Sequence, residues 1–273
     1  MRRTDRRRME VSRRKWDEAV PLHVASAEYD VAAFMRGAST LKTIEVNHMG
    51  RVKGLSLLHL QCHFGLDTLS WARSGASVVG VDYSPVAVET ARNLAKELAI
   101  RATFIRSNVF DLPRRLHRRF TIVYTGKGAL GWLPTLEPWG RVVARFLRPG
   151  GRLVMLEDHP LSDCLADRSS PTNLVLAESY FRETAIREVY DGTYATRIKM
   201  RHRVSYGWIH TVSEVLNALI RAGLGIDLVR EYPYTYWRRF PSLKLNRDGC
   251  WHPTRGDTKV PLMWLVTASK PAN

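Results

Sequence analysis

Residues 55–113, LSLLHLQCHFGLDTLSWARSGASVVGVDYSPVAVETARNLAKELAIRATFIRSNVFDLP, carry the pattern that decides the fold. Positions 55–60 are almost continuously apolar, as in a strand buried on both faces of a parallel sheet. Gln61-Cys62-His63-Phe64-Gly65 then turns the chain into a helix running through Leu69 and Ala72. A second strand at 77–81 ends in Asp82, about 20 residues beyond the first loop, where a carboxylate can accept both hydroxyl hydrogens of a ribose. Strand, turn, helix and a strand closed by an acid predict a site for a nucleoside-like cofactor.

Working outward, Ser84-Pro85 opens a second helix as N-cap and first helical residue, because proline there gives up no needed donor. Ala87, Val88, Ala91, Leu94, Ala95 and Leu98 follow at helical spacing. Strands are predicted at 102–105, 120–124 and 152–156, with a helix at 139–147 stopped by Arg148-Pro149-Gly150-Gly151. Strands alternating with helices in this way make a doubly wound parallel sheet. Beyond it the character changes. Asp191-Gly192, flanked by 183–190 and 193–200, predicts a tight hairpin and hence an antiparallel flap inserted after strand five. A helix carrying Val212, Val215, Leu216, Leu219 and Ile220 on one face follows, then strand six at 226–231 and a final strand at 262–268 that closes the sheet. The segment 232–241 between them is unusually aromatic and offers either a pocket lining or a loop packed on the sheet.

The 273 residues, 45% of them hydrophobic, suffice for one large α/β domain with an elaboration or for two small domains, and argue against wholesale disorder. Cys62, Cys164 and Cys250 have no CxxC spacing, which argues against a disulfide framework or a metal site and fits a reducing cytoplasm. No apolar run approaches the ~20 residues of a membrane span, and the N-terminus lacks a signal-peptide core, so a soluble protein away from membranes is expected. The net charge is +16, of which residues 1–15 supply +6 from eight basic and two acidic side chains. Clusters at 114–119 and 199–203 read either as a nucleic-acid footprint or as solvated arginine-rich faces. They lack the interleaved aromatics of a single-strand platform, which points away from nucleic acid. The basic N-terminal segment offers a core only Met9, Val11 and Trp16, so it is expected to fray or to dock on another subunit and make a homo-oligomer. Trp16 and Tyr29, ahead of the first strand, either fold over the cofactor as a lid or pack an N-terminal helix on the sheet.

Asp82, the Asn108-Val109 pair, Leu147-Arg148-Pro149-Gly150-Gly151 before strand five and the strand order together resemble class I S-adenosylmethionine-dependent methyltransferases. LHLQCHFGLDTLSWAR at 58–73, YTGKGALGWLP at 124–134 and LEDHP at 156–160 resemble a bacterial small-molecule subgroup of actinomycete secondary metabolism. Its members include C-methyltransferases of terpenoid–indole alkaloids of the teleocidin type. The resemblance implies a Rossmann-like α/β fold with a seven-stranded methyltransferase sheet. It divides the chain into an N-terminal basic helix and lid (1–50), a cofactor-binding core (51–160), an inserted flap or substrate cap (161–209) and the end of the core (210–273). It implies S-adenosylmethionine as cofactor, held by Tyr29, Gln61, Cys62, Gly65, Asp82, Tyr83, Asn108, Val109, Thr125 and Gly126. Trp16, His159, Tyr234, Tyr236 and Trp237 are the expected substrate pocket.

The sequence also departs from the family. The usual acid-x-Gly-x-Gly-x-Gly loop is His59-Leu60-Gln61-Cys62-His63-Phe64-Gly65, which lacks the acid that holds the cofactor's ammonium. Backbone carbonyls at Gln61 or near Thr125 are the expected replacements, and Asn108 stands where an acid is usual, its side-chain carbonyl expected to accept from the adenine amino group. An NAD enzyme shares the sheet and the ribose acid but needs glycines where Gln61 and His63 stand, since a pyrophosphate must approach the backbone. S-Adenosylmethionine carries no phosphate, and the balance tips to methyl transfer.

Transfer from a sulfonium is an in-line displacement, so the protein mainly holds the nucleophile ~3–3.5 Å from the methyl and excludes water. A base is needed only where the acceptor loses a proton. His159, just after strand five, is the first candidate, with partnership to Asp158 as its structural alternative. His210, one turn before Glu214, is the second, with a local helix-start hydrogen bond as its alternative. The expected function is methylation of a small, largely apolar natural product. Two alternatives stand beside it. An RNA methyltransferase is favoured by charge alone, because Thr125-Gly126-Lys127-Gly128 is no Asn-Pro-Pro loop. A non-catalytic cofactor-binding or scaffold protein is the other.

Overall fold

Three helices, α1 (Arg3–Val24), α2 (Val31–Met35) and α3 (Thr43–Met49), precede the apolar run, which becomes β1 (Ser56–Leu60). The computed structural model describes residues 2–166, 168–170, 173–254 and 259–272. From β1 the chain alternates: α4 (Leu66–Arg73), β2 (Ser77–Asp82), α5 (Pro85–Glu97), β3 (Ala102–Arg106), β4 (Phe120–Gly126), α6 (Glu137–Phe146) and β5 (Leu147–Asp158). A short α7 (Pro160–Asp163) leads into β6 (Ile186–Val189) and β7 (Val204–Gly207). The chain ends with α8 (Val212–Arg221), β8 (Gly225–Tyr232), the two-residue strands β9 (Lys244–Leu245) and β10 (Trp251–His252), and β11 (Met263–Ser269).

The seven-stranded sheet has the order β3-β2-β1-β4-β5-β11-β8. Strands β1 to β5 pair in parallel, with Leu58 between Val79 and Val123 in register, and every residue from Leu57 to Leu60 is buried. The last strand, β11, is not at the sheet's edge. It inserts antiparallel between β5 and β8, which leaves β8 outermost. The burial pattern explains this: β11 is apolar and buried from Met263 to Val266, whereas β8 carries Asp227, Arg230 and Glu231, side chains that blunt an edge against further pairing.

Helices cover both faces of the sheet. Ser84 caps α5 by accepting from the Ala87 N–H at 3.0 Å, and Ala87, Val88, Ala91, Leu94 and Ala95 form its buried stripe. Thr211 and Glu214 make a capping box that starts α8. On that face α6 and α8 meet through Val143, Leu219 and Val215, and burial of each such side chain contributes roughly 1.5–3 kcal/mol. Their closest approach is at Gly140, where an added Cβ would lie 2.3 Å from the Ala218 carbonyl oxygen.

Helix α1 docks on the body of its own chain rather than fraying. Met9, Ala19 and Val20 are buried beneath it. Ser12 bonds both backbone groups of Tyr206 in β7, donating to its carbonyl at 3.1 Å and accepting from its N–H at 2.8 Å. Glu18 accepts the N–H groups of Arg201 and His202 at 2.6 and 2.8 Å. Polar side chains thus supply the docking surface that an apolar count of the segment misses.

The flap is antiparallel but is not the expected tight hairpin. β6 pairs with β7, Ile186 opposite Gly207, and a long loop from 190 to 203 joins them. A two-residue turn of the favoured type needs positive φ at both central residues, and neither Asp191 nor Gly192 has it. Gly192 is instead packed against the Thr196 carbonyl, and the loop folds back with Thr193 bridged to Thr196.

Candidate active site

A cavity of about 1880 Å³ opens at the carboxyl ends of β1, β2, β4 and β5, roofed by α1 and the flap. Its floor begins in the first loop, where Gln61 and His63 hold φ of 57° and 50° and Gly65 follows at 84°. The backbone keeps the course of a glycine-rich loop although two of its residues carry side chains, at a cost of about 1–2 kcal/mol each. Gly65 is required, since a Cβ there would lie 2.7 Å from the Phe104 ring and 2.9 Å from Ala91.

Asp82 lies at the end of β2 with one oxygen accepting the His63 N–H and the other the Ser84 N–H, both at 2.8 Å. Burial pushes its carboxyl up to about 6, against these bonds, which favour the charged form. Tyr83 beside it donates to Glu10 at 3.0 Å under the Arg13 guanidinium, so α1 fixes that ring. Asn108 caps a 3-10 turn at Val109–Arg114, its Oδ1 accepting from the Phe110 N–H at 3.0 Å. Its Nδ2 has only the Met9 sulfur, 3.9 Å away, among printed partners.

The middle of the cavity is aromatic. Trp16 packs edge-on against His63 and Trp132 with centroids 5.2 Å apart, and Tyr29 stacks on His23 at 5.1 Å. His23 Nδ1 and His63 Nε2 lie 3.1 Å apart, and His23 Nε2 is 2.9 Å from the Thr193 hydroxyl of the flap. The Tyr29 and Tyr194 hydroxyls are bonded to each other. Burial pushes His23 down to about 4 and His63 well below its ordinary value, so both rings are neutral at pH 7. Such a surface suits an alkyl group or a soft cation over ring faces.

At the far wall Glu157, buried at the end of β5, accepts the N–H groups of Gly128 at 2.8 Å, Ala129 at 3.0 Å and Leu130 at 3.3 Å. It thereby fixes the turn after β4. Asp158 accepts from Trp237 Nε1 at 2.9 Å, and the Tyr236 hydroxyl stands beside it, buried and without a completed hydrogen bond. Burial raises the Asp158 carboxyl above its ordinary value.

Residues 57–151 match the family model described as a methyltransferase domain. This part of the chain is therefore similar to a methyltransferase domain. A ubiquinone biosynthesis O-methyltransferase of Alkalilimnicola ehrlichii is 30% identical over 106 residues, 39% of this chain and 42% of that protein. Another, of Photorhabdus laumondii, is 23% identical over 194 residues, 70% of this chain and 76% of that one. The chain therefore spans less than half of the first relative and about three quarters of the second. An S-adenosylmethionine-dependent methyltransferase from Mesorhizobium loti has the same fold, with TM-score 0.58, 22% identity, and 86% and 100% of the two chains covered.

The cavity has features that suit S-adenosylmethionine. Asp82 presents a carboxylate to the cavity, Gly65 lines it with no room for a Cβ, and Gln61 Oε1 is a buried acceptor without a partner. Tyr29, Gln61, Cys62, Gly65, Asp82, Tyr83, Asn108, Val109 and Gly126 all line the cavity. Thr125 does not: it is fully buried in β4 with its hydroxyl toward the Leu60 carbonyl at 3.5 Å. Asn108 Oδ1 accepts from the Phe110 N–H and keeps a second lone pair for a ligand donor.

Among the substrate candidates, Trp16, Tyr236 and Trp237 line the cavity, whereas Tyr234 stacks on His252 at 4.2 Å outside it. His159 is also outside. Its Nδ1 caps α7 by accepting the Leu161 N–H at 3.1 Å, and its Nε2 lies 2.8 Å from Glu231. Asp158, the last residue of β5, lines the cavity in its place. His210 does line the cavity, with Nε2 bonded to the Leu133 carbonyl at 2.7 Å. A carbonyl only accepts, so that nitrogen carries the proton and Nδ1 is left as an acceptor. Among the described residues no group of three or more His, Cys, Asp or Glu side chains could hold a metal ion, and no helix is long and apolar enough to cross a membrane. His23, His63, Trp132, Tyr194, Glu157 and Asp158 were not foreseen from sequence; Asp158 and Glu157 lie inside the LEDHP motif.

Proposed function

We propose that this chain methylates a small, largely apolar natural-product molecule in secondary metabolism, with C-methylation of a terpenoid–indole framework as the specific expectation. The observation that carries the reading is the size of the cavity: about 1880 Å³ exceeds the ~300–1,000 Å³ of an ordinary small-molecule site and leaves room for a second molecule beside the cofactor. Relatives named as ubiquinone biosynthesis O-methyltransferases support a small-molecule acceptor.

Asp82 accepts from the ribose hydroxyls, and Asn108 and Val109 border the adenine. When bound, S-adenosylmethionine supplies an electrophilic methyl on a sulfonium sulfur. Trp16, His63, Tyr29 and Tyr194 exclude water from the middle of the cavity and orient the acceptor over it. Asp158 and the Tyr236 hydroxyl hold the acceptor's polar edge. Asp158 takes the proton that the methylated acceptor loses. His210 Nδ1 is the second acceptor within the cavity.

Incubation with methyl-labelled S-adenosylmethionine and separate pools of indoles, phenols, prenylated aromatics and bulk RNA tests the reading. Label on a small apolar molecule supports it. Label on RNA alone would sink it.

A further inference from the structure

One end of the cavity, between α4 and the turn after β4, holds three charged side chains that the ribose, adenine and acceptor contacts leave unused. Lys127, on a left-handed residue with φ of 61°, donates to Asp67 Oδ2 at 2.8 Å and lies 3.1 Å from Glu45 Oε2. Asp67 also accepts from the Thr40 hydroxyl, and Glu45 from the Tyr124 hydroxyl. Lys127 and Asp67 line the cavity with 20% and 17% of their side chains exposed. Glu45, at 1%, stands behind them. Next to this group Gln61 donates from Nε2 to the Ala129 carbonyl at 2.6 Å and leaves Oε1 buried without a partner.

The balance of groups is unequal. One ammonium meets two carboxylates, and the Gln61 amide oxygen of the same cavity has no donor; buried acceptors of this kind are costly until a donor reaches them. Lys127 has Glu45 behind it, and its third N–H reaches the Thr40 carbonyl at 3.4 Å, the longest of its contacts and the one a ligand carboxylate would replace. A cation and an anion on one small ligand satisfy both needs, and an α-amino acid carries that pair. His59, which stands where the family's ammonium-binding acid is usual, cannot contribute. Its Nδ1 is 2.8 Å from the Thr68 hydroxyl, its ring packs on Tyr124 at 4.6 Å, and burial pushes it down to about 4.

We propose that Asp67, Gln61 and Lys127 form the subsite for the amino-acid end of the cofactor, with Asp67 and Gln61 Oε1 taking its ammonium and Lys127 its carboxylate. Glu45 is a positioning residue that keeps Lys127 within reach. The acid missing from β1 is thereby supplied from the first turn of α4, eight residues after His59. The inference rests on the methyltransferase reading, and its test separates the two.

The test is isothermal titration of the full chain with S-adenosylhomocysteine and with 5′-methylthioadenosine, which keeps the adenosine and the sulfur but lacks the amino-acid end. Asp67→Asn and Lys127→Gln should each weaken S-adenosylhomocysteine by about 10-fold or more while leaving methylthioadenosine within about twofold. Lys127→Arg, which keeps the charge, should recover most of the loss. Equal weakening of both ligands would make the cluster a structural latch and overturn the proposal, as would unchanged binding of S-adenosylhomocysteine. A native chain that binds neither ligand overturns the methyltransferase reading itself.

Discussion

Asp158 accepts a hydrogen bond from Trp237 Nε1 at 2.9 Å, a contact that ties the end of β5 to the aromatic loop and aims a carboxylate into the cavity. Its neighbour His159 turns the other way, to Glu231 and the start of α7. Asp158→Asn should therefore lower kcat by roughly 10²–10⁴, the usual worth of a positioned base, with S-adenosylhomocysteine affinity unchanged. His159→Ala should leave kcat within about twofold and cost about 1–2 kcal/mol of stability through the lost cap. Steady-state kinetics with thermal melts of both variants distinguish the two roles.

Asp82 sets a pH dependence. Burial holds its carboxyl at about 6, against an ordinary value of 3.8. Only the carboxylate accepts from two hydroxyls, so cofactor binding should be level above pH 6 and weaken about tenfold per unit below it. For folding the sign is opposite: a raised pKa means ionisation disfavours the native state, so this group's contribution is present below the unfolded value and is lost as pH rises through about 6. Titrations of S-adenosylhomocysteine from pH 5 to 8 check the first statement, and Asp82→Asn should flatten the curve.

Glu157 is the acceptor for three consecutive backbone donors, Gly128, Ala129 and Leu130. Leaving a buried donor without a partner costs about 1–3 kcal/mol, so Glu157→Ala should lose roughly 3 kcal/mol or more in urea unfolding. Glu157→Gln keeps one acceptor oxygen and should lose clearly less.

Gly140 is where α6 crosses α8. Its Cβ would meet the Ala218 carbonyl at 2.3 Å, backbone against backbone, so no rotamer change relieves the clash. Gly140→Ala should cost about 1–3 kcal/mol by overpacking, outweighing alanine's better helix propensity. Chemical denaturation of the variant measures the balance.

The order of β1 to β5 was legible because buried parallel strands are apolar runs, and Asp82 was legible because an acid at such a strand end has few other uses. The flap was misread because Asp191-Gly192 signals a local turn, while Ser12 and Glu18 of α1, almost 190 residues away in sequence, fix β7 and the loop before it. His159 attracted attention for its chemistry, yet its ring is taken up by the start of α7 and by Glu231, 72 residues away, which no local pattern encodes. Asp67 and Lys127 meet across 60 residues, a juxtaposition no local pattern encodes.

Titration of S-adenosylhomocysteine into the full chain at pH 7.5 tests the central claim most directly. One ligand per chain, with Kd on the order of micromolar, is the expected result. No measurable heat at millimolar ligand, with the protein shown to be folded, would contradict it.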